Sequence, residues 1–145
     1  MKRDSLAHEF VETIPSHLDE GTLYVSVPYR TAVHLCACGC GNRVVTPLRP
    51  SRWQLYFDGE SVSLSPSVGS WQFPCRSHYW IEKDCIRWAR QWTDKEIATG
   101  RERDAQDVRG YYEGRRARAM QPVATPQPTI GLFRRAWRRF RQRVG

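Results

Sequence analysis

Residues Trp53–Ser65 read WQLYFDGESVSLS: two short runs of alternating apolar and polar side chains with Asp58-Gly59 between them. Asp-Gly in this setting is a strong hairpin signal, because glycine accepts the positive φ that a tight turn requires. Alternation puts Trp53, Leu55 and Phe57 on one face of their strand, and Val62 and Leu64 on one face of theirs. Tyr79–Glu82 (YWIE) and Cys85–Ala89 (CIRWA) predict a second hairpin. Upstream, LYVSV from Leu23, HLC from His34 and VVTPL from Val44 predict further strands. The fold class expected is mainly β: a small antiparallel domain over residues 23–92, followed by a helical extension.

The flanks differ in character. Residues 1–22 mix helix and turn signals, and no element is assigned there. Thr93-Asp-Lys-Glu96 is a capping-box sequence, in which the threonine and glutamate side chains satisfy each other's backbone N–H groups. It predicts a charged helical region over 93–120, broken near Gly100 and Gly110. Residues 121–129 carry Pro122, Pro126 and Pro128 and predict a stiff linker. Residues 130–145 place Phe133, Ala136, Trp137, Phe140 and Val144 at helical spacing with arginines opposite, the pattern of a basic amphipathic helix.

Charge follows the same division. The net charge of the 145-residue chain is +8, yet six of the 23 Lys and Arg residues lie within 130–145, beside no acid. Against 15 Asp and Glu, the rest of the chain is close to balance, so a uniformly basic nucleic-acid surface is excluded. Contact with nucleic acid or membrane is expected only through the tail. No apolar run approaches the roughly 18 residues of a membrane span. MKRDSLAHEF lacks the apolar stretch of a signal peptide, and the expected compartment is the cytoplasm.

In that compartment clustered cysteines point to metal or reactive thiols rather than disulfides. Residues 34–41 read HLCACGCG, and Cys75-Arg-Ser-His78 supplies distant partners. Zinc takes four such ligands in a tetrahedron, and the glycines permit the sharp turn that brings neighbours together. Two ligand sets compete: Cys36, Cys38, Cys40 and Cys75, or Cys38, Cys40, Cys75 and His78. The plain alternative is a group of buried free thiols. A structural zinc is favoured over a catalytic one. Cys85 has no ligand neighbour and is expected in the core.

SLSPSVGSW, residues 63–71, is serine-rich and sharply turned. A serine there, followed by free backbone N–H groups, has the setting of a nucleophile beside an oxyanion hole. Ser67 with His78 as general base is the favoured pair, since Ser77 neighbours His78 and points to the other face of a strand. His34 and Glu82 are the candidates for a third group. The two roles of His78 exclude each other: a histidine bound to zinc cannot serve the serine, and the bland reading of Ser67 and His78 is a turn and a core histidine.

Together IPSHLDEGTLYVS, HLCACGCG, VVTPLRPSRWQL, DGESVSLSPSVGSW and PCRSHYWI, over about residues 10–90, resemble a family of small bacterial proteins catalogued as a domain of unknown function. Its members stand in ubiquitin-like gene neighbourhoods, beside activating and conjugating enzymes. The resemblance implies a zinc-bearing β domain with the metal on Cys36, Cys38, Cys40 and Cys75. It implies a serine peptidase of deubiquitinase type, with the catalytic role on Ser67 and His78 and a ubiquitin-like protein or its conjugates as partner. Val68 stands where the family carries isoleucine, and the Arg-rich tail lies outside the resemblance. The rival reading is a non-enzymatic zinc-bearing adaptor using Trp53, Trp71 and Trp80, which requires a buried Ser67 and a coordinated His78.

Overall fold

The computed structural model describes residues 1–121. The proline-bearing segment from Pro122 and the basic segment 130–145 lie outside the described residues. Residues Met1–Glu113 form one compact unit, and it is mainly β. Strands β1 (Ala7–Phe10), β2 (Thr22–Ser26), β3 (Thr31–Leu35) and β4 (Arg43–Pro47) form one sheet in that order. Strands β5 (Gln54–Phe57), β6 (Val62–Gly69), β7 (His78–Glu82) and β8 (Cys85–Trp88) form the second. Neighbours pair antiparallel except β1, which lies parallel to β2. The N-terminal segment thus contributes a strand that its local signals do not announce.

Alternation sorts the side chains into the core. Leu23, Val25 and Ala32 of the first sheet, with Cys36 just after β3, pack with Val62, Leu64, Tyr79, Ile81 and Ile86 of the second in a single buried cluster. Tyr24 and Val33, one position out of phase, face the other way and are covered by Leu18. On β7 the same alternation buries Tyr79 and Ile81 between the sheets and leaves His78 and Trp80 on the opposite face.

The first hairpin is real, with a loop of four residues rather than two. Phe57 pairs with Val62, and the Asp58 carboxylate accepts the amides of Glu60 at 3.0 Å and Ser61 at 2.7 Å, an Asx-type turn with Gly59 at φ 100°. The second hairpin turns on Lys83 and Asp84, both at positive φ (49° and 62°), between Glu82 and its partner Cys85.

Helix α1 runs unbroken from Asp94 to Ala119, through Gly100 and Gly110. Each glycine costs about 1 kcal/mol against alanine, too little to break a helix that is otherwise well begun. The capping box forms as the sequence predicts: the Thr93 amide donates to Glu96 Oε2 at 2.8 Å, and the Glu96 amide donates to Thr93 Oγ1 at 3.3 Å. Ile97 is the buried residue of this helix.

Candidate functional site

Ser67 and His78 come together because β6 is irregular. Leu64 pairs with Ile81 and Val68 with Tyr79, so four residues advance on β6 while two advance on β7. The excess is taken up around the cis Ser65–Pro66 bond. An even excess keeps Val68 facing the core, as Leu64 does, and turns Ser67 to the outer face with His78. Ser67 Oγ lies 2.9 Å from His78 Nε2.

The other imidazole nitrogen fixes the tautomer. His78 Nδ1 lies 3.4 Å from the backbone carbonyl of Arg90, which can only accept. Nδ1 therefore carries the proton, Nε2 accepts, and the Ser67 hydroxyl donates. That polarity is the one a general base needs. The carbonyl occupies the place expected for His34 or Glu82. Those two are engaged elsewhere: His34 Nε2 meets the Tyr79 hydroxyl at 2.8 Å, and Glu82 pairs with Arg87 at 2.7 Å. A main-chain acceptor leaves no side-chain signature, so sequence reasoning had no means to find it.

Burial holds the His78 imidazole below its ordinary pKa. The Arg90 carbonyl partly offsets this and the Arg90 charge adds to it. Three indoles surround the ring, with centroids at 5.0 Å (Trp71), 5.3 Å (Trp80) and 4.9 Å (Trp92). Trp53 donates its indole N–H to the Ser67 carbonyl at 3.3 Å. Ser67 is half-buried, and with His78 it lines a cleft of about 360 Å³ bounded by Trp53, Trp92, Gly100 and Asp104. A second hollow of about 490 Å³, also lined by Trp71, includes neither Ser67 nor His78.

The cysteines gather elsewhere. The loop between β3 and β4 is closed by the Cys36 amide on the Asn42 carbonyl at 2.8 Å and turns through Gly39 (φ 82°) and Gly41 (φ 72°). At Gly39 a Cβ would also lie 2.5 Å from the Met1 nitrogen, so the position excludes a side chain twice over. Cys75 arrives from the loop between β6 and β7, closed by the Ser70 amide on the Ser77 carbonyl at 2.8 Å. The Sγ atoms of Cys36, Cys38, Cys40 and Cys75 all lie within 4.8 Å of one another and can hold a metal ion. His78 stands apart from them on the serine. Cys85 is exposed on β8, contrary to the core position expected, because alternation along the strand sends the next residue, Ile86, into the core and faces Cys85 outward.

This donor set fits zinc. Tetrahedral Zn–S bonds of about 2.3 Å put sulfurs about 3.8 Å apart. The observed separations are 3.4 Å (Cys36–Cys38), 4.0 Å (Cys36–Cys75) and 3.7 Å (Cys40–Cys75). Burial raises the Cys40 thiol, but hydrogen bonds from Asn42 and the neighbouring thiols outweigh it and bring it to about 7. Burial leads in raising Cys38. Four thiols in one place, one already inclined to ionise, suit a cation that stabilises thiolates.

The fold is thus a two-sheet β domain with a serine–histidine contact in a cleft and, apart from it, a four-cysteine cluster that can hold a metal ion. Over residues 10–89 the chain matches the family described as bacterial ubiquitination-like system serine protease (BubE), and it belongs to that family. No curated protein and no solved structure matches the chain. No helix among the described residues is long and apolar enough to cross a membrane.

Proposed function

We propose that this protein is a zinc-stabilised serine-type peptidase that removes or processes a ubiquitin-like protein in a bacterial conjugation pathway. The observation that carries the reading is the 2.9 Å contact between Ser67 Oγ and His78 Nε2 in an open cleft, with the tautomer set by Arg90. The family description supports the reaction type and the ubiquitination-like setting.

Ser67 Oγ attacks the acyl carbon of the scissile bond while His78 Nε2 takes its proton. The resulting imidazolium gives that proton to the leaving amine as the carbon–nitrogen bond breaks, leaving an acyl ester on Ser67. Water, deprotonated by the same nitrogen, then releases the acid and restores the hydroxyl. The Arg90 carbonyl orients the ring and, as a dipole, steadies the imidazolium. Zinc on Cys36, Cys38, Cys40 and Cys75 braces the loops before β4 and β7 and takes no part in the acyl chemistry. An adaptor would bury Ser67 and tie His78 to the metal; a half-buried Ser67 and a His78 on the serine speak for the enzyme.

The test is hydrolysis of a fusion of the ubiquitin-like protein to a reporter at its C-terminus. Wild type is expected to release the reporter, with the product mass marking the bond cut. Ser67→Ala is expected to release none while keeping its metal. Release by Ser67→Ala at the wild-type rate would overturn the reading.

A further inference from the structure

The family match ends at residue 89, but the surroundings of His78 do not. Trp92 lies beyond it and sets its ring edge-on to His78, with centroids 4.9 Å apart. Trp71 does the same from β6's end at 5.0 Å, and the two indoles stack at 5.3 Å with planes 18° apart. Glycine backs each of them. A Cβ on Gly100 of α1 would lie 2.8 Å from Trp92 Cζ3, and one on Gly69 would lie 2.5 Å from Trp71 Cε2. Gly100 sits inside a regular helix, where glycine is a poor choice for the backbone. Its use is the space it leaves for the indole.

We infer that Trp92 is a positioning residue for His78, clamped between Trp71 and Gly100, so that the first turns of α1 belong to the reactive site. The inference rests on the serine-peptidase reading. The stacked indoles exclude water from one side of the imidazole and block its rotation away from Ser67 and the Arg90 carbonyl. Without Trp92 the ring is wetter and freer, and its charged form costs less. The charged groups around the cleft are Arg52 before β5 and Arg101, Asp104 and Asp107 on α1. Arg90 beside His78 is paired with Glu96, and Arg87 over Trp80 is paired with Glu82. Substituting Trp92 alters none of these charges, so a shift in the titration of His78 reports the lost indole.

The experiment uses the full chain with its metal. It follows the rate at which a fluorophosphonate modifies Ser67 against pH, and the titration of the His78 ring by NMR. Trp92→Ala is expected to slow modification at pH 6 by at least about tenfold and to move the acid limb upward. Trp92→Phe, which keeps an aromatic ring, is expected to recover most of the rate. Gly100→Ala is expected to slow modification although alanine is the better helix former, which separates the clamp from helix stability. Wild-type rate and titration in Trp92→Ala and Gly100→Ala would overturn the inference. Should Trp92→Ala fail to fold, Gly100→Ala and Trp92→Phe decide in the same way. If wild type is not modified at Ser67, the peptidase reading falls, while the NMR titration still tests the clamp: an unshifted His78 in the variants would sink it.

Discussion

His78 and Tyr79 are consecutive on β7 and hydrogen-bond on opposite faces of one sheet. His78 Nε2 meets Ser67 Oγ at 2.9 Å on the outer face, and the Tyr79 hydroxyl meets His34 Nε2 at 2.8 Å between the sheets. The strand thus couples the candidate site to the core, and the loop before it carries Cys75 to the thiol cluster.

His34 is fully buried and its Nδ1 has no hydrogen-bond partner, so the Tyr79 hydroxyl is the contact its ring depends on. Tyr79→Phe is expected to destabilise the fold by about 1–3 kcal/mol, the cost of leaving a buried polar atom unpaired. Urea unfolding checks this. An unchanged midpoint would mean that the ring finds another partner.

Burial also lowers the His34 pKa to about 4, against 6.5 for an unperturbed imidazole. Below pH 6.5 the unfolded chain takes up a proton that the folded chain refuses until about pH 4. Stability is therefore full above 6.5 and falls as pH falls through that window. The loss between pH 7.5 and pH 5 is about 2 kcal/mol from this group. His34→Gln is expected to flatten the profile by that amount, read from unfolding curves at the two pH values.

The thiol cluster makes a separable claim. Purified protein is expected to carry one zinc per chain. Cys75→Ser is expected to weaken zinc binding by more than the roughly 10–100-fold that losing an outer hydrogen-bond partner costs. Cys85→Ser, at an exposed thiol outside the cluster, is expected to bind zinc as wild type does. Metal analysis after gel filtration decides. Equal metal in Cys75→Ser and wild type would remove the site.

The depressed pKa of His78 has a kinetic consequence. A base must be neutral, so the acid limb of the rate profile is expected below pH 6.5, and activity is expected to persist into mildly acidic solution. A limb at or above 6.5 would show that burial does not govern the ring.

Much of this was legible in the sequence, and the remainder fails for physical reasons. Alternation and Asp58-Gly59 give the hairpin, and Thr93 with Glu96 gives the helix start, because these signals are local. The cysteine spacing marks Cys36, Cys38 and Cys40, and the structure brings Cys75 to them. The pairing of Ser67 with His78 depends on the shift between β6 and β7, which sequence can propose only by guessing the face. Three features had no readable signal. The Arg90 carbonyl is backbone. The parallel partner of β2 is chosen by long-range packing. The clamp of Trp92 on Gly100 joins residues whose local signals say only aromatic and helix breaker.

The central claim is that Ser67 is a nucleophile activated by His78. The most direct measurement is peptide mapping by mass spectrometry after treatment with a fluorophosphonate, on wild type and His78→Ala with metal measured on both. The account predicts one adduct, on Ser67, in wild type, and its loss in His78→Ala with zinc retained. No adduct on Ser67, or one that forms equally well without His78, would contradict it.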